Sequence, residues 1–209
     1  MSQSDPQKDF AALVGNYPDR YEISATTKKG LQILIRPMGR DDGPLLRGLF
    51  ESLSPESIYF RFFSPLKALS EEMLAQLTHI DHNQDVVLVA IQKTDSEEKV
   101  LGVFRLMCNL NEKKGELAIV VGDPWQGKGV AAQLFQHGLF IAKLRGIDSV
   151  YGMVLVENRT VLDLASRLGF IVEWDSEAHA HQLKMDLKTI QSEHLIESLE
   201  KRWTESESK

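Results

Sequence analysis

The six residues Gln126-Gly127-Lys128-Gly129-Val130-Ala131 lie between an apolar run, Leu117–Val121, and a long stretch of helical periodicity. Where a strand passes into a helix, backbone N–H groups converge and the helix dipole favours an anion. Glycines at such a turn let a phosphate approach the backbone, where a Cβ atom would obstruct it. The sequence therefore predicts a phosphate-binding turn at the start of this helix.

Two nucleotide-binding patterns overlap on this turn, and each is incomplete. Gly122, Gly127 and Lys128 satisfy the G-x-x-x-x-G-K of nucleoside-triphosphate loops, but Gly129 stands where a Ser or Thr would meet magnesium. Gly127, Gly129 and Ala132 spell the dinucleotide fingerprint G-x-G-x-x-A. That fingerprint needs a tight turn, whereas about five loop residues separate the strand from its first glycine here.

A third pattern, Q-x-x-G-x-A, uses Gln126, Gly129 and Ala131. It resembles the pyrophosphate-binding signature of the GNAT acetyltransferase superfamily. Downstream, Glu157-Asn158 and a helical stretch that closes in Leu168-Gly169-Phe170 resemble the second motif of that superfamily. One helix and one strand separate the two motifs, as the family requires. The resemblance implies a mixed α/β fold, with antiparallel N-terminal strands followed by a β-α-β-α-β segment.

Within the superfamily, the chain is most similar to the Pat-type protein lysine acetyltransferases, and this resemblance extends over roughly residues 35–170. The stretches that carry it are Ile35-Arg36-Pro37, Leu53-Ser54-Pro55-Glu56-Ser57 with Tyr59, Arg61, Phe62 and Phe63, Ile80-Asp81, Gly115-Glu116 and Trp125-Gln126-Gly127-Lys128-Gly129. The resemblance implies an enzyme that transfers acetyl directly from acetyl-CoA to an amine, without a metal. The implied acceptor is a protein lysine, for example on a CoA-ligase type enzyme.

The same resemblance implies which residues hold acetyl-CoA. Backbone groups of Val120 and Val121 would pair with the pantetheine arm, much as an added strand pairs with a sheet edge. Asn158 would contact the cofactor near its pantetheine section. The amides expected to hold the pyrophosphate belong to Gln126, Gly127, Lys128, Gly129, Val130 and Ala131.

Glu116 is the candidate general base. An amine must lose its proton before it can attack a thioester, and a lysine with a pKa near ~10.4 is mostly protonated at neutral pH. Glu116 interrupts an apolar strand roughly 16 Å before Val121, at ~3.3 Å per residue, and matches a glutamate base of the Pat-type relatives. The alternative is a surface glutamate at a strand end. Many GNAT enzymes have a tyrosine that protonates the leaving thiolate where this chain has Ala165, so the sequence leaves open whether a side-chain general acid exists.

Other reactive side chains have simpler interpretations. Arg61 could line the acceptor side of the site, whereas Phe62 and Phe63 are expected in the core. Cys108 lies in an apolar strand and is expected to pack rather than to react. Two histidine pairs lack a third ligand, so no metal site is predicted; they are His79 with His82 and His179 with His181.

Periodicity divides the chain into a polar arm (1–20), a catalytic domain (21–188) and an amphipathic C-terminal helix with a tail (189–209). The pattern predicts a hairpin around residues 28–30 and a long helix over 127–145, ended by Gly146. Asp41 or Asp42 is expected to cap one short helix, and Ser54 to cap the next.

Composition limits the functional classes. The net charge of −6 argues against a nucleic-acid partner. The N-terminus has no secretory pattern, and no long apolar run predicts a membrane span, so a cytoplasmic location is expected. The residues leave two alternatives open: a small-amine acetyltransferase and a non-catalytic acyl-CoA sensor. The acceptor, the acyl-chain length, regulation and the oligomeric state are not encoded in any motif that we recognise.

Overall fold

The computed structural model describes residues 21–94 and 97–189, whose strands form one mixed sheet. The strands are β1 (Ile23–Thr26), β2 (Gln32–Pro37), β3 (Val86–Lys93), β4 (Glu98–Asn109), β5 (Lys114–Val121), β6 (Ser149–Val154), β7 (Ile171–Asp175) and β8 (Ala180–Asp186). Their order in the sheet is β1-β2-β3-β4-β5-β6-β8-β7. Every neighbouring pair is antiparallel except β5 and β6, which run parallel.

Helices cover both faces of this sheet. They are α1 (Gly43–Glu51), α2 (Pro55–Phe62), α3 (Glu71–Thr78), α4 (Val130–Leu144) and α5 (Arg159–Arg167). Helices α1 to α3 pack on one face of β2 to β5, around buried Leu49, Val89 and similar residues. Helices α4 and α5 pack on the opposite face, where Phe135 meets Phe104 at a ring distance of 5.7 Å. The sheet therefore has a hydrophobic core on each side.

The architecture predicted from the sequence is confirmed: antiparallel strands come first and a β-α-β-α-β segment follows. The hairpin at residues 28–30 joins β1 to β2, and Gly146 follows α4 with φ of +75°. The predicted start of α4 is wrong, because the helix begins at Val130 rather than at Gly127. Gly127 and Gly129 have φ of +66° and +92°, which no right-handed helix accommodates. The arm at 1–20 and the predicted helix beyond residue 189 lie outside the described residues.

The expected aspartate cap of α1 is also wrong. Asp42 occupies the N-cap position, but its side chain makes no capping hydrogen bond. Its carboxylate instead accepts two bonds from the Arg36 guanidinium, at 2.7 and 2.6 Å, and one from the Gly39 backbone N–H at 2.7 Å. The hydrogen bond to Asp42 is also the main cause that raises the pKa of Arg36. Asp42 therefore ties β2 to the start of α1.

Replacing Asp42 by Ala leaves the Arg36 guanidinium partly buried without its carboxylate. We expect the free energy of unfolding to fall by about 2 to 3 kcal/mol, because one partner of a buried pair is lost. Urea unfolding measures this change. Asp41→Ala is the matched control, since Asp41 is adjacent and exposed. Equal effects of the two substitutions would contradict the structural role of Asp42.

Candidate active site

The two parallel strands at the centre of the sheet separate partway along their length. Strands β5 and β6 pair only from Lys114 to Glu116, opposite Ser149 to Tyr151. Beyond this point β5 continues alongside β4 as far as Val121, and β6 continues alongside β8. A V-shaped opening therefore begins directly after Glu116 and ends at the glycine-rich turn.

Backbone groups on the β6 side of β5 face this opening. Gly122 N–H donates to the Leu101 carbonyl on β4, at 2.9 Å. Backbone groups alternate in direction along a strand, so those of Val120 also face β4, whereas those of Ile119 and Val121 face the opening. Ile119 is thus a residue that the sequence analysis missed. The alternation of backbone direction along a strand predicts that Val121 and Ile119, two residues apart, share the edge, whereas the sequence analysis names the adjacent Val120.

The glycine-rich turn presents free amides at the N-terminus of α4. In the described part of the chain, the N–H groups of Gly127, Gly129, Val130 and Ala131 have no protein acceptor. The amides of Gln126 and Lys128 donate within the turn to carbonyl oxygens, each at 3.3 Å. Four free donors at the positive end of a 15-residue helix suit an anion such as pyrophosphate.

The Gln126 side chain holds this turn in place. Its Nε2 atom lies 3.1 Å from each of three acceptors: the Val121 carbonyl, the Asp123 carboxylate and the Ser57 hydroxyl. Asp123 in turn accepts a hydrogen bond from the Ser54 backbone N–H at 3.1 Å. The turn is therefore connected to both the end of β5 and the start of α2. The predicted backbone role is therefore wrong for Gln126 and Lys128, whose amides donate to carbonyl oxygens of the turn, and Gln126 acts instead through its side chain.

Helix α2 runs from the turn toward the other end of the opening. Its predicted cap is confirmed, because Ser54 Oγ accepts a bond from Ser57 N–H at 3.1 Å. At its C-terminus, Phe62 packs against Phe50 as the core prediction required. For Phe63 the core prediction is wrong, since this residue is 46% exposed in a left-handed conformation. The reversal of the chain at the end of α2 turns Phe63 outward.

A cleft of about 400 Å³ passes through the opening and draws residues from both faces of the sheet. From the α1–α3 face come Phe60, Arg61, Phe62, Phe63, Arg105, Met107, Glu116 and Ala118. From the opposite face and the opening come Leu117, Ile119, Phe135, Met153, Val154, Asn158, Val161 and Leu183. The predicted base Glu116 and the predicted cofactor ligand Asn158 thus share one cleft, although 42 positions separate them in the chain.

Glu116 lies at the point where the strands separate, partly buried and beside Tyr151 of β6. Burial raises the pKa of Tyr151, and the negative charges of Glu116 and Glu112 raise it further. Among the described residues, no lysine or arginine nitrogen lies within 4.0 Å of the Glu116 carboxylate. Glu116 therefore stands at the cleft without a counter-ion that would occupy its oxygens.

Asn158 caps α5 and keeps its amide group for other partners. Its Oδ1 atom accepts the Val161 N–H at 3.2 Å. This bond directs the oxygen into the helix, so the two Nδ2 protons remain as donors beside the cleft. An amide donor at this place suits a carbonyl group of the pantetheine arm.

Ala165 and Cys108 are too buried to take part in the reaction. Ala165 of α5 is fully buried and does not line the cleft. Burial raises the pKa of the Cys108 thiol to about 11, so it is almost wholly protonated at neutral pH. Its amide also donates to the carboxylate of Asp85, the residue before β3, at 3.3 Å. Cys108 therefore packs, as the sequence indicated.

Residues 21–94 and 97–189 contain neither a metal-ligand cluster nor a helix suited to a membrane. No three His, Cys, Asp or Glu side chains in these ranges converge as metal ligands. None of the helices in these ranges has the length and apolar character that crossing a bilayer requires.

Comparisons with known proteins agree with this geometry. The model of the Acetyltransferase (GNAT) family matches residues 49–170. An acetyltransferase of Pseudomonas aeruginosa is 32% identical over 168 residues, which cover 80% of this chain and 88% of that protein. The crystal structure of the GNAT domain of S. lividans PAT superposes with a TM-score of 0.75 at 27% identity, covering 82% of this chain and 99% of that domain.

A more distant structure shares the fold alone. Spermidine N-acetyltransferase from Vibrio cholerae, solved in complex with CoA and spermine, superposes with a TM-score of 0.60 at 20% identity. The match covers 75% of this chain and 96% of that one. The free amides, the unpaired edge of β5 and the cleft through the sheet are features of this chain that fit a CoA ester.

Replacing Gly129 by Ala tests the phosphate-binding turn. The new Cβ would approach Thr27 Cβ to 3.1 Å at a φ of +92°, so the turn must shift and its amides lose their common direction. We expect the affinity for CoA to fall about ten-fold or more, as for the loss of a charge-assisted hydrogen bond. Calorimetric titration with CoA measures it.

Gly146→Ala is the control for that substitution. Gly146 has a similar φ of +75°, with no atom within 4 Å of the added Cβ, and follows α4 at its far end. It should lower stability by about 1 kcal/mol without changing CoA affinity. A Gly129→Ala protein that binds CoA as tightly as the Gly146→Ala protein would exclude the turn from the cofactor site.

Proposed function

This chain belongs to the GNAT acetyltransferase family and is an N-acetyltransferase, and we propose that its acceptor is a lysine side chain of a protein. The observation that carries the proposal is the cleft through the sheet, which brings Glu116 to one end of an opening whose other end carries free phosphate-binding amides. A CoA-ligase type enzyme is the acceptor class that we propose from the Pat-type resemblance.

Three parts of the chain fit acetyl-CoA in the order of its own chemical groups. The amides at the start of α4 suit the pyrophosphate, the edge of β5 at Ile119 and Val121 suits the amide-bearing arm, and the cleft suits the acyl end. When bound, acetyl-CoA supplies an acetyl group that is activated as a thioester. No part of this arrangement calls for a covalent bond between enzyme and acetyl group.

We assign the role of general base to Glu116. A lysine reaches the enzyme as an ammonium ion, and it attacks a carbonyl carbon only after losing a proton. The Glu116 carboxylate can take that proton, directly or through a water molecule, because no cationic side chain among the described residues occupies it.

No side chain on α5 supplies a proton to the leaving sulfur. Val161 is the member of α5 that lines the cleft, and the buried Ala165 lies one turn farther along. A thiol with a pKa near ~8.5 is a tolerable leaving group as a thiolate. The proton can therefore come from solvent.

The mouth of the cleft favours a protein acceptor over a small one. Phe63 and Met107 line the cleft and yet are 46% and 43% exposed. Exposed apolar side chains that border a cleft are typical of surfaces that contact another macromolecule. A bound protein would cover both while its lysine enters the cleft.

Replacing Glu116 by Gln tests the proposed base. The amide keeps the shape of the side chain but cannot accept the proton, so we expect kcat to fall by about 100-fold or more. The affinity for acetyl-CoA should stay within a factor of about two. Release of CoA with a lysine peptide measures turnover, and calorimetry measures binding, with ATP and NAD as ligands that should not bind.

Glu112→Gln is the matched control. Glu112 is exposed in the β4–β5 turn, and it contributes a negative charge near Tyr151 just as Glu116 does. Its removal should leave turnover unchanged. Unchanged turnover in Glu116→Gln would show that Glu116 is not the general base. Acetylation of spermidine without acetylation of any lysine peptide would show that the acceptor is a small amine and not a protein.

A further inference from the structure

We infer that Arg61 and Arg105 form an anion-binding subsite in the cleft, and that the acceptor carries a carboxylate close to its reactive amine. This inference rests on the proposed function, because it names a chemical property of the amine substrate. Both guanidinium groups line the same cleft as Glu116. Neither arginine was assigned an anionic ligand by any motif in the sequence.

Arg61 is a partly buried cation without a carboxylate. In the described ranges it forms no ion pair and no hydrogen bond, and its one close partner is the ring of Phe62, with Cζ at 5.2 Å from the ring centre. Burial lowers the pKa of Arg61, and the positive charge of Arg105 lowers it further. A buried charge is costly unless an opposite charge compensates it, and no carboxylate of the described chain does so for Arg61.

The positive charge of Arg105 is only partly compensated by the carboxylate of Asp85. Its side chain is 16% exposed, and its Nη2 atom lies 3.8 Å from Asp85 Oδ2, which is longer than a hydrogen bond. Its Nε atom is buried and has no hydrogen-bond partner in the part of the chain that the structure describes. Asp85 meanwhile accepts a bond from the Cys108 N–H through its other oxygen. Arg105 thus keeps donors that the protein itself does not satisfy.

The two arginines lie next to the reacting end of the cleft. Arg105 on β4 is directly opposite Ala118 on β5, and Ala118 is two residues from Glu116 on the same face of the strand. Two residues of strand span about 7 Å. Arg105 is therefore near Glu116, and Arg61 lines the same cleft; neither forms an ion pair with Glu116, since neither lies within 4.0 Å of its carboxylate.

Charge complementarity identifies the missing group. The cleft holds two arginines and Glu116, and Asp85 offsets Arg105 in part. Once Glu116 has taken the proton of the entering ammonium ion, the two arginines are opposed only by the partial compensation from Asp85, and a carboxylate on the acceptor balances the remaining positive charge. Planar guanidinium groups bind carboxylates through two parallel hydrogen bonds. In a protein acceptor this carboxylate belongs to an Asp or Glu beside the target lysine; in a small acceptor it is the α-carboxylate of an amino acid.

Product-like peptides test the subsite without any turnover. One peptide carries Nε-acetyl-lysine followed by Glu, and a second carries Gln in place of that Glu. In calorimetric titrations of the CoA-bound protein, we expect the Glu peptide to bind about ten-fold more tightly than the Gln peptide. Arg61→Gln should abolish this difference, whereas Arg40→Gln, a change at an exposed arginine outside the cleft, should preserve it.

The variant itself is expected to fold. Because Arg61 has no acceptor among the described residues, its removal leaves no protein group unpaired, and the urea midpoint should not fall. Arg105→Gln is the second variant and should also reduce the preference for Glu. Equal affinity of the wild type for the two peptides, or a preference that survives in both variants, would overturn the subsite.

Turnover then distinguishes the sources of the carboxylate. Unacetylated lysine peptides with a neighbouring Glu or Gln are compared with free lysine and lysinamide as acceptors. A preference for the Glu peptide indicates a protein acceptor, and a preference for lysine over lysinamide indicates an amino acid. If acetyl-CoA binds but no amine is acetylated, the proposed function fails, while the peptide titrations still decide on the subsite.

Discussion

The separation of β5 from β6 after Glu116 and Tyr151 is the constraint on which the rest of this structure depends. Each strand keeps a full ladder on its outer side, β5 with β4 and β6 with β8, so the two can diverge without loss of either ladder. Gly152 sits at the divergence, where an added Cβ would approach the Leu117 carbonyl to 2.9 Å. The opening exposes backbone groups that a folded chain normally pairs, and these groups form an edge at which an amide-bearing ligand can bind.

Helix α2 connects the two ends of this opening. Its first turn is bonded to the phosphate-binding turn through Ser57 and Gln126, and its last turn contributes Arg61 and the outward-facing Phe63 to the cleft. At 1.5 Å per residue, its 8 residues span about 12 Å. A rigid element of this length fixes the distance between the free amides of the turn and the mouth of the cleft, so a shift of α2 would alter the proposed cofactor and acceptor sites together.

Negatively and positively charged side chains lie at different places along the cleft. Glu116 stands where the strands separate, with the Tyr151 ring beside it and no cation within ion-pair distance in the described chain. Arg61 and Arg105 lie on the same face, one step nearer the turn; among the described residues Arg61 has no carboxylate partner and the buried Arg105 Nε atom has no acceptor. Unsatisfied buried charges lower stability, and natural proteins keep such groups where a ligand satisfies them.

The sequence by itself determined the order of strands and helices along the chain and the glycine-rich turn, because contiguous residues encode periodicity and backbone conformation. Glu116 and Asn158 became candidates through the family resemblance, and their roles stay predictions. The errors of the sequence analysis, the helix start at Gly127 and the aspartate cap at Asp42, lie where a positive φ or a partner on another element overrides local preference. Only the tertiary structure decided that Ile119 faces the opening, that Phe63 is exposed and that Arg61 meets Arg105 in one cleft. Those facts follow from strand register and packing, which join residues distant in the chain and leave no local pattern to read.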